Sequence, residues 1–435
     1  MSRNIDRRDV LKGAGAASVV ALAGCAGNGN GNGNGNGNGN GNGNGNGNGN
    51  GNGDAGFEAR VGVLMPETGD LGPLGEQIRD GALLAADQIN DADIDVTVDT
   101  QVEDTQTDPQ AGISGAESLV SAGYPAVVGP AASNVNLQVT REVFIPNAVV
   151  GMSPSSTAPE VTDLEDDGFV FRTAPSDALQ GPVMADVAVD RLGASTSATL
   201  FLNDAYGQAL ENSYVSAFEE RDGQITNQVS FEPEQASYSS QWDSALSDDP
   251  DVVMIVGFPQ SGIQLFNDFY QEFESDHGDL DILVPDGLID SDLPDEVDND
   301  FEQVTGTAPA TAGPGAEFFS EAYEDAYGQA PGPFNAQAFD AMAVLTMAAV
   351  HAGENDGTAI RDSVRPIANP NGETVTPENL PNAVEMVADG TDVNYAGASS
   401  SVEFDDNGDM RAVSYDIFEV EDRNFASIDR IDFET

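Results

Sequence analysis

The chain has 435 residues, too many for one ordinary hydrophobic core, and its 75 acidic residues against 15 basic ones give a formal net charge of -60. The acids run along the whole chain beyond Asp54 and the only lysine is Lys12, so no basic patch exists to neutralise phosphates and nucleic acid is excluded as a partner. A distributed acidic coat repels itself in dilute buffer but is screened at molar salt, where the Debye length falls to about 3 Å. The composition therefore predicts a halophilic protein that folds in concentrated brine.

Residues 1–24 read as a signal peptide. Asp6-Arg7-Arg8-Asp9-Val10-Leu11-Lys12 precedes an apolar stretch of small residues, Gly13 to Gly24. That stretch is too short to span a bilayer, which takes about 20 residues. The paired arginines resemble a twin-arginine export signal, which carries folded proteins. Leu22-Ala23-Gly24-Cys25 resembles a lipobox, and Cys25, the only cysteine, has no disulfide partner; lipidation there is the expectation. Gly27 to Asn52 is Gly-Asn repeated 13 times, a sequence without a core. Residues 25–56 thus read as a lipid-anchored flexible tether, holding a body on the outer face of a cell membrane.

From Phe57 the pattern alternates strand and helix. Arg60 to Pro66 reads as a buried strand, followed by a Gly-rich loop and a helix to about Asn90 whose apolar stripe is Ile78, Ala82, Leu83, Ala85, Ala86 and Ile89. Strand Ile94 to Val102, helix Pro109 to Ala122, strand Pro125 to Gly129, a helix from Asn134 and strand Ala148 to Met152 continue the βαβ run. Phe169 to Thr173 leads into a second cycle: helix Asp177 to Leu192, strand Ala198 to Leu202, a helix opened by Asp204-Ala205-Tyr206-Gly207, strand Gln224 to Phe231, helix Tyr238 to Leu246, strand Asp251 to Val256, helix Ser261 to Phe273 and strand Ile282 to Pro285. Gly306 to Gly313 reads as a segment crossing back. Helices Ala316 to Tyr327 and Phe334 to His351, a weakly patterned stretch from Gly353 to Asn394, and β-rich segments Ser400 to Phe404, Met410 to Val420 and Phe425 to Phe433 complete the chain. The expected fold is α/β: two doubly wound parallel-sheet lobes joined by three hinge crossings. Lobe 1 is expected over 57–174 and 307–399, lobe 2 over 175–306 and 400–435.

Two loops at expected strand tips are rich in small hydroxyl residues, Gly129 to Asn134 (GPAASN) and Gly151 to Pro159 (GMSPSSTAP). In doubly wound sheets ligands bind beyond the carboxyl ends of the strands. Side by side the two loops would form a polar mouth in which Ser133, Ser155, Ser156 and Thr157 offer hydroxyls and loop N–H groups suit a carboxylate.

With these pieces in order, the chain resembles the type I periplasmic binding proteins of branched-chain amino acid ABC transporters. The likeness covers nearly all of Phe57 to Thr435 and rests on VGVLMPETGDLGPLGEQIRDGALLAADQIN, VVGPAASN, GMSPSSTAPE, FRTAPSDALQGP, NDAYGQAL, SYSSQWDSALSDDPDVVMIVGF, VPDGL and FDDNGDMRAV. The resemblance implies that Ser133 and Ser155 to Thr157 grip the carboxylate and ammonium of an amino acid. Tyr206 and Phe258 would close over it, Asp286 would pair with its ammonium, and Leu74 would stand at a pocket position usually aromatic. Phe258 replaces the family's tyrosine, and Asp286 is shorter than the usual glutamate. The implied partners are an ABC permease, its ATPase and the membrane reached through the lipid anchor, with a single copy sufficing and no cofactor needed. A binder of urea, short amides or aromatic carboxylates stands as the alternative within the family, and a sensory ligand-binding lipoprotein that signals through a partner as the alternative from a different class.

Other signals point nowhere specific. His277 and His351, the only histidines, lack partners at ligand spacing, and no nucleophile–base ordering predicts an enzyme. Asp91-Ala92-Asp93-Ile94-Asp95 and Asp405-Asp406-Asn407-Gly408-Asp409 lack the twelve-residue calcium loop that closes on a glutamate.

Overall fold

Short runs rich in apolar residues build the two large sheets of the protein. The computed structural model describes residues 56–369 and 371–434; the expected signal peptide, Cys25 and the Gly-Asn repeat lie outside them. β1 (Phe57–Met65), β2 (Val96–Asp99), β3 (Val102–Asp104), β4 (Ala126–Val128), β5 (Val150–Ser153) and β6 (Val170–Arg172) form the first sheet in the order β2-β1-β4-β5-β6, with β3 following β2 along the same edge of β1. Every pairing is parallel. β4 and β5 are buried throughout, as parallel strands covered by helices must be.

β7 (Thr196–Leu202), β8 (Gln224–Phe231), β9 (Val252–Val256), β10 (Asp281–Pro285) and β11 (Val304–Pro309) make the parallel part of the second sheet. After the small parallel pair β12 (Glu373–Val375) and β13 (Val393–Tyr395), the hairpin β14 (Ala412–Glu421) and β15 (Asn424–Glu434) adds antiparallel to β11. The order is β15-β14-β11-β10-β9-β7-β8.

The chain passes between the sheets three times: after β6, after β11 and before β14. Hydrogen bonds pin the crossings to one another and to the helix Asn335–Ala352. The Thr173 hydroxyl donates to the Gln337 carbonyl at 2.8 Å, Ala310 N–H to the Ser414 carbonyl at 2.8 Å, and the Tyr415 hydroxyl to the Ser176 carbonyl at 3.2 Å. The middle excursion returns the helix Asn335–Ala352 to the first sheet, against β1, β4 and β5, with the helices Gly72–Asn90, Gly357–Ala368 and Leu380–Ala388 around it. Every residue from Asn335 to Val350 is buried, which is why this helix is apolar all round instead of striped.

Several expectations need correction. The strand expected over Ile94 to Val102 breaks into β2 and β3, interrupted at Thr100 and Gln101. Gly306 to Gly313 is not simply a crossing: Gly306 to Pro309 belongs to the buried strand β11, and its small residues fit because a Cβ on Gly306 would lie 2.9 Å from the Ile289 side chain. The weakly patterned 353–394 stretch contains two helices and two short strands. Ser400 to Phe404 forms only a single bridge, Phe404 to Met410, and packs toward the first sheet, with the Phe404 ring 5.3 Å from Phe171. The helices expected to run Asp177 to Leu192 and Ser261 to Phe273 each change to a wider π turn before their ends.

Candidate functional site

In each sheet the chain reverses its direction of travel beside the first strand, β1 in one and β7 in the other, and the loops beyond those strand tips face the same cleft. After β4, Gly129 turns the chain with φ +115°, and a Cβ there would lie 2.2 Å from the Leu64 carbonyl, so only glycine fits. Ala131 and Ala132 follow, and Ser133 opens the helix Ser133–Val139. After β5, the Ser153 hydroxyl donates to the Pro130 carbonyl at 2.6 Å and accepts from Ser156 N–H at 3.0 Å. The Ser133 hydroxyl accepts from Ala158 N–H at 3.3 Å, stitching the two hydroxyl loops together. Arg172, its side chain 1% exposed, lies behind them and donates to the Ser156 and Ala158 carbonyls at 3.3 and 3.0 Å, to the Thr162 hydroxyl and to Asp409.

The second sheet supplies the facing wall. Beyond β7, Asp204 caps the helix Ala205–Glu220 by accepting from Gly207 N–H at 2.8 Å, which fixes Tyr206 in the first turn. Beyond β9 comes Phe258, stacked on Tyr206 with ring centroids 5.3 Å apart and planes 7° from parallel. Beyond β10 comes Asp286, 3% exposed, whose Oδ2 accepts from the Tyr206 hydroxyl at 3.4 Å.

Between the walls lies a cavity with about 20 Å³ of space for the centre of a water-sized sphere. Leu74, Ser133 and Ser155 line it from one side and Tyr206, Phe258 and Asp286 from the other, joined by Leu71, Ile78 and Phe334. Six of the eight expected site residues therefore meet at one cavity. Ser156 and Thr157 are not among its lining residues; both are buried in the same loop, and the Thr157 carbonyl accepts from Asp177 N–H at 2.9 Å. A space of this size takes about one water, so a larger guest enters only when the walls part or the lining side chains move.

The electrostatics of the cleft are one-sided. Burial pushes the Asp286 carboxyl up to about 6, against the neighbouring Gln180 amide and Tyr206 hydroxyl. Asp177, fully buried at the N-terminus of the helix Asp177–Asp186, is raised well above its ordinary value by burial and then by the charge of Asp286. Burial, followed by the charges of Asp286 and Asp177, also raises the Tyr206 phenol. Both Asp177 oxygens, Asp286 Oδ1, Ser155 Oγ and Ser156 Oγ are buried without a hydrogen-bond partner in the protein. Sequence reading missed Asp177. Its signal was its place at the first turn after a crossing, but one acid among 75 does not stand out.

A second missed residue is Asp70, in the loop after β1. It reaches across the cleft, where its Oδ1 accepts from Ser261 N–H at 2.7 Å and its carbonyl from Gln260 N–H at 3.3 Å, in the first turn of the helix Pro259–Asp268. Asp70 is 4% exposed, and burial pushes its carboxyl up to about 6. By contrast Asp405 Oδ1, in one of the acid-rich stretches, accepts from Asn407 and Asp409 N–H groups at 2.8 and 3.0 Å, as a turn does.

The model of a family described as periplasmic binding protein matches residues 58–378. A chemotactic signal transduction system substrate-binding protein of Halobacterium salinarum, BasB, is 27% identical over 308 residues, which are 69% of this chain and 71% of that protein. The Leu/Ile/Val-binding protein BraC3 of Rhizobium johnstonii is 29% identical over 210 residues, 47% of this chain and 56% of the relative. The crystal structure of a leucine-binding protein, LivK, from Thermotoga maritima superposes with a TM-score of 0.73 at 25% identity, covering 86% of this chain and 98% of that one.

Proposed function

The chain belongs to the periplasmic binding protein family, and from that premise we propose that it is the solute-binding lipoprotein of an ABC importer, capturing a small neutral amino acid, in the first instance a branched-chain one, between its two lobes. One observation carries the reading: hydroxyl loops from one sheet and an aromatic pair with a carboxylate from the other line the same cavity. A zwitterion asks for donors at one end, an anion at the other and an apolar wall between. The loops of Ser133 and Ser155 to Thr157 would supply donors to the carboxylate, Asp286 would hold the ammonium, and Leu74, Tyr206 and Phe258 would enclose the side chain. No covalent step is involved. Ligand contacts on both walls would favour the closed state by their differential free energy, and closure would present the surface that a permease reads.

The remainder of the proposal concerns anchoring and surroundings. Cleavage before Cys25, lipidation of that residue and the Gly-Asn tether would hold the body outside the membrane, in brine, after twin-arginine export. The hinge would divide lobe 1 from lobe 2 at the three crossings, close to residues 174, 310 and 411.

The test is a thermal-shift and calorimetry panel in molar KCl containing L-leucine, L-isoleucine, L-valine, L-alanine, urea, acetamide and benzoate. An amino acid is expected to raise the melting temperature and to bind near the micromolar range, about -8 kcal/mol. Binding of urea, acetamide or benzoate alone would replace this reading with its alternative. The likeness to a relative named for chemotactic signalling favours a second reading, in which the loaded protein addresses a transducer. Deleting the gene would then abolish attraction to the ligand while leaving its uptake intact.

A further inference from the structure

The ligand cavity has a larger neighbour. A chamber with about 540 Å³ of space for the centre of a water-sized sphere, against about 20 Å³ in the ligand cavity, is lined by Gln77, Ile289, Pro333 and residues of β11, β14 and β15. The two spaces meet along three stretches of chain. Gln77 lines the chamber and Ile78 the cavity, Ile289 the chamber and Gly287 the cavity, Pro333 the chamber and Phe334 the cavity. Phe334, 4% exposed, therefore stands at the boundary.

The backbone of Phe334 lies in the left-handed region, with φ +67° and ψ -3°. A bulky side chain takes that conformation at a cost the surroundings must outweigh, and such strain collects at ligand sites. Here the surroundings are specific. The Asn335 amide nitrogen donates to the Pro333 carbonyl at 3.0 Å, and its oxygen accepts from Gly332 N–H at 3.2 Å. On the other side, the Phe334 carbonyl accepts from Ala338 N–H at 2.9 Å. A Cβ on Gly81 would lie 2.3 Å from the Asn335 carbonyl, so the helix Gly72–Asn90 presses on the same turn. The chamber beyond offers apolar surface from Ile289, Ala308, Pro309, Pro333, Phe418 and Phe425. Its buried acid, Asp416, accepts from Arg430 at 2.7 and 3.0 Å and asks for no charged guest.

We propose that the chamber is a second compartment of the ligand site, suited to an unbranched aliphatic tail, and that Phe334 is the partition that sets how long a guest the site accepts. The inference rests on the amino-acid site proposed above and deepens it. With the Phe334 ring in place, the guest is confined to the small cavity and the room its walls give by parting. With the ring removed, the side chain of the guest runs on past Ile289 and Pro333. The groups assigned to the polar end of the guest, Ser133, Ser155 and Asp286, line the cavity and not the chamber, so a longer tail leaves them in place. Length is thus read apart from the charged ends.

The experiment measures L-leucine and the longer, unbranched L-2-aminooctanoate by calorimetry in 2 M KCl at pH 7.5. The proteins are wild type, Phe334→Ala, Phe334→Leu and the double variant Phe334→Ala with Ser320→Trp, in which the new ring fills the chamber from the helix Ala316–Tyr327. L-2-aminooctanoate is expected to bind Phe334→Ala about tenfold or more tighter than wild type, since each methylene buried is worth roughly a factor of four. L-leucine, too short to reach the chamber, is expected not to share the gain, and adding Ser320→Trp is expected to abolish it. Phe334→Leu is expected to gain at least twofold, and it decides the matter if Phe334→Ala does not fold. A gain below twofold in the folded variants, an equal gain for L-leucine, or a gain kept in the double variant overturns the partition while leaving the amino-acid reading in place. Failure of wild type and every variant to bind either amino acid overturns that reading, and the partition with it.

Discussion

Arg172 shows what a single side chain contributes here. It is buried, and its donors go to two carbonyls of the hydroxyl loop, a threonine and a carboxylate. Holding the Ser156 and Ala158 carbonyls from behind leaves the opposite side of the loop toward the cleft. Arg172→Met is expected to lose roughly 3 kcal/mol of stability, within the range for breaking a buried ion pair by removing one partner. Urea unfolding in 2 M KCl measures it, and a loss under about 1 kcal/mol would mean that the guanidinium is no clamp. The sequence reading gave Arg172 no task, because the task depends on Asp409, brought back from 237 residues away. Ser133, Ser155, Tyr206, Phe258 and Asp286 were legible for the opposite reason: each stands just beyond an apolar β-branched strand, so strand order alone brings them together.

At the scale of elements, the helix Pro259–Asp268 is notable for where its cap comes from. Phe258 stands at its N-cap position and provides no side-chain cap. Asp70, from the other wall of the cleft, fills that role through the 2.7 Å bond to Ser261 N–H. An N-cap is worth about 1 kcal/mol, and this one exists only while the walls are together. Asp70→Ala is therefore expected to shift the protein toward its open form and to weaken whichever amino acid binds wild type about five- to tenfold. Small-angle scattering of the ligand-free protein should show a larger radius of gyration; unchanged scattering and affinity would remove Asp70 from closure. Neighbouring elements show why periodicity was informative in some places and silent in others. β9 is an uninterrupted apolar run, and β10 is one after Asp281. β11 carries Gly306, Thr307 and Ala308 because Ile289 crowds it, and in composition it passes for a loop. The helix Gly357–Ala368 contains Pro366, a residue that argues against a helix when only sequence is in hand.

For the molecule as a whole, acidity is both coat and interior. Asp70, Asp204, Asp286 and Asp340 are each pushed up to about 6 by burial, and Asp177 is raised as well. Their folded values lie above the ordinary carboxyl value near 4, so between about pH 4 and 6 the folded chain binds more protons than the unfolded one. Stability accordingly rises as pH falls from 7 toward 5. Asp251 opposes this at lower pH. The Ser195 N–H and hydroxyl, together with the Thr196 N–H, hold it down to about 2, a contribution present above pH 4 and lost as the pH approaches 2. Melting curves of the ligand-free protein in 2 M KCl are expected to peak on the acid side of neutrality; a maximum at pH 8 would contradict the buried acids. The excess of acids was plain in the sequence, but which of them were interior was not, since a buried aspartate and a solvated one are the same letter.

The three crossings also bear on how the chain is made. The strands of the first sheet are complete by Arg172, yet the helix that covers β1, β4 and β5 ends only at Ala352, with the whole parallel part of the second sheet translated in between. While that intervening length is on the ribosome, one face of the first sheet has no native cover and its apolar residues must wait. The second sheet in turn waits for its hairpin, Ala412 to Glu434, so the wall bearing Ser133 and Ser155 gains its backing helix before the opposite sheet is complete, and neither sheet is whole until the last strands have emerged.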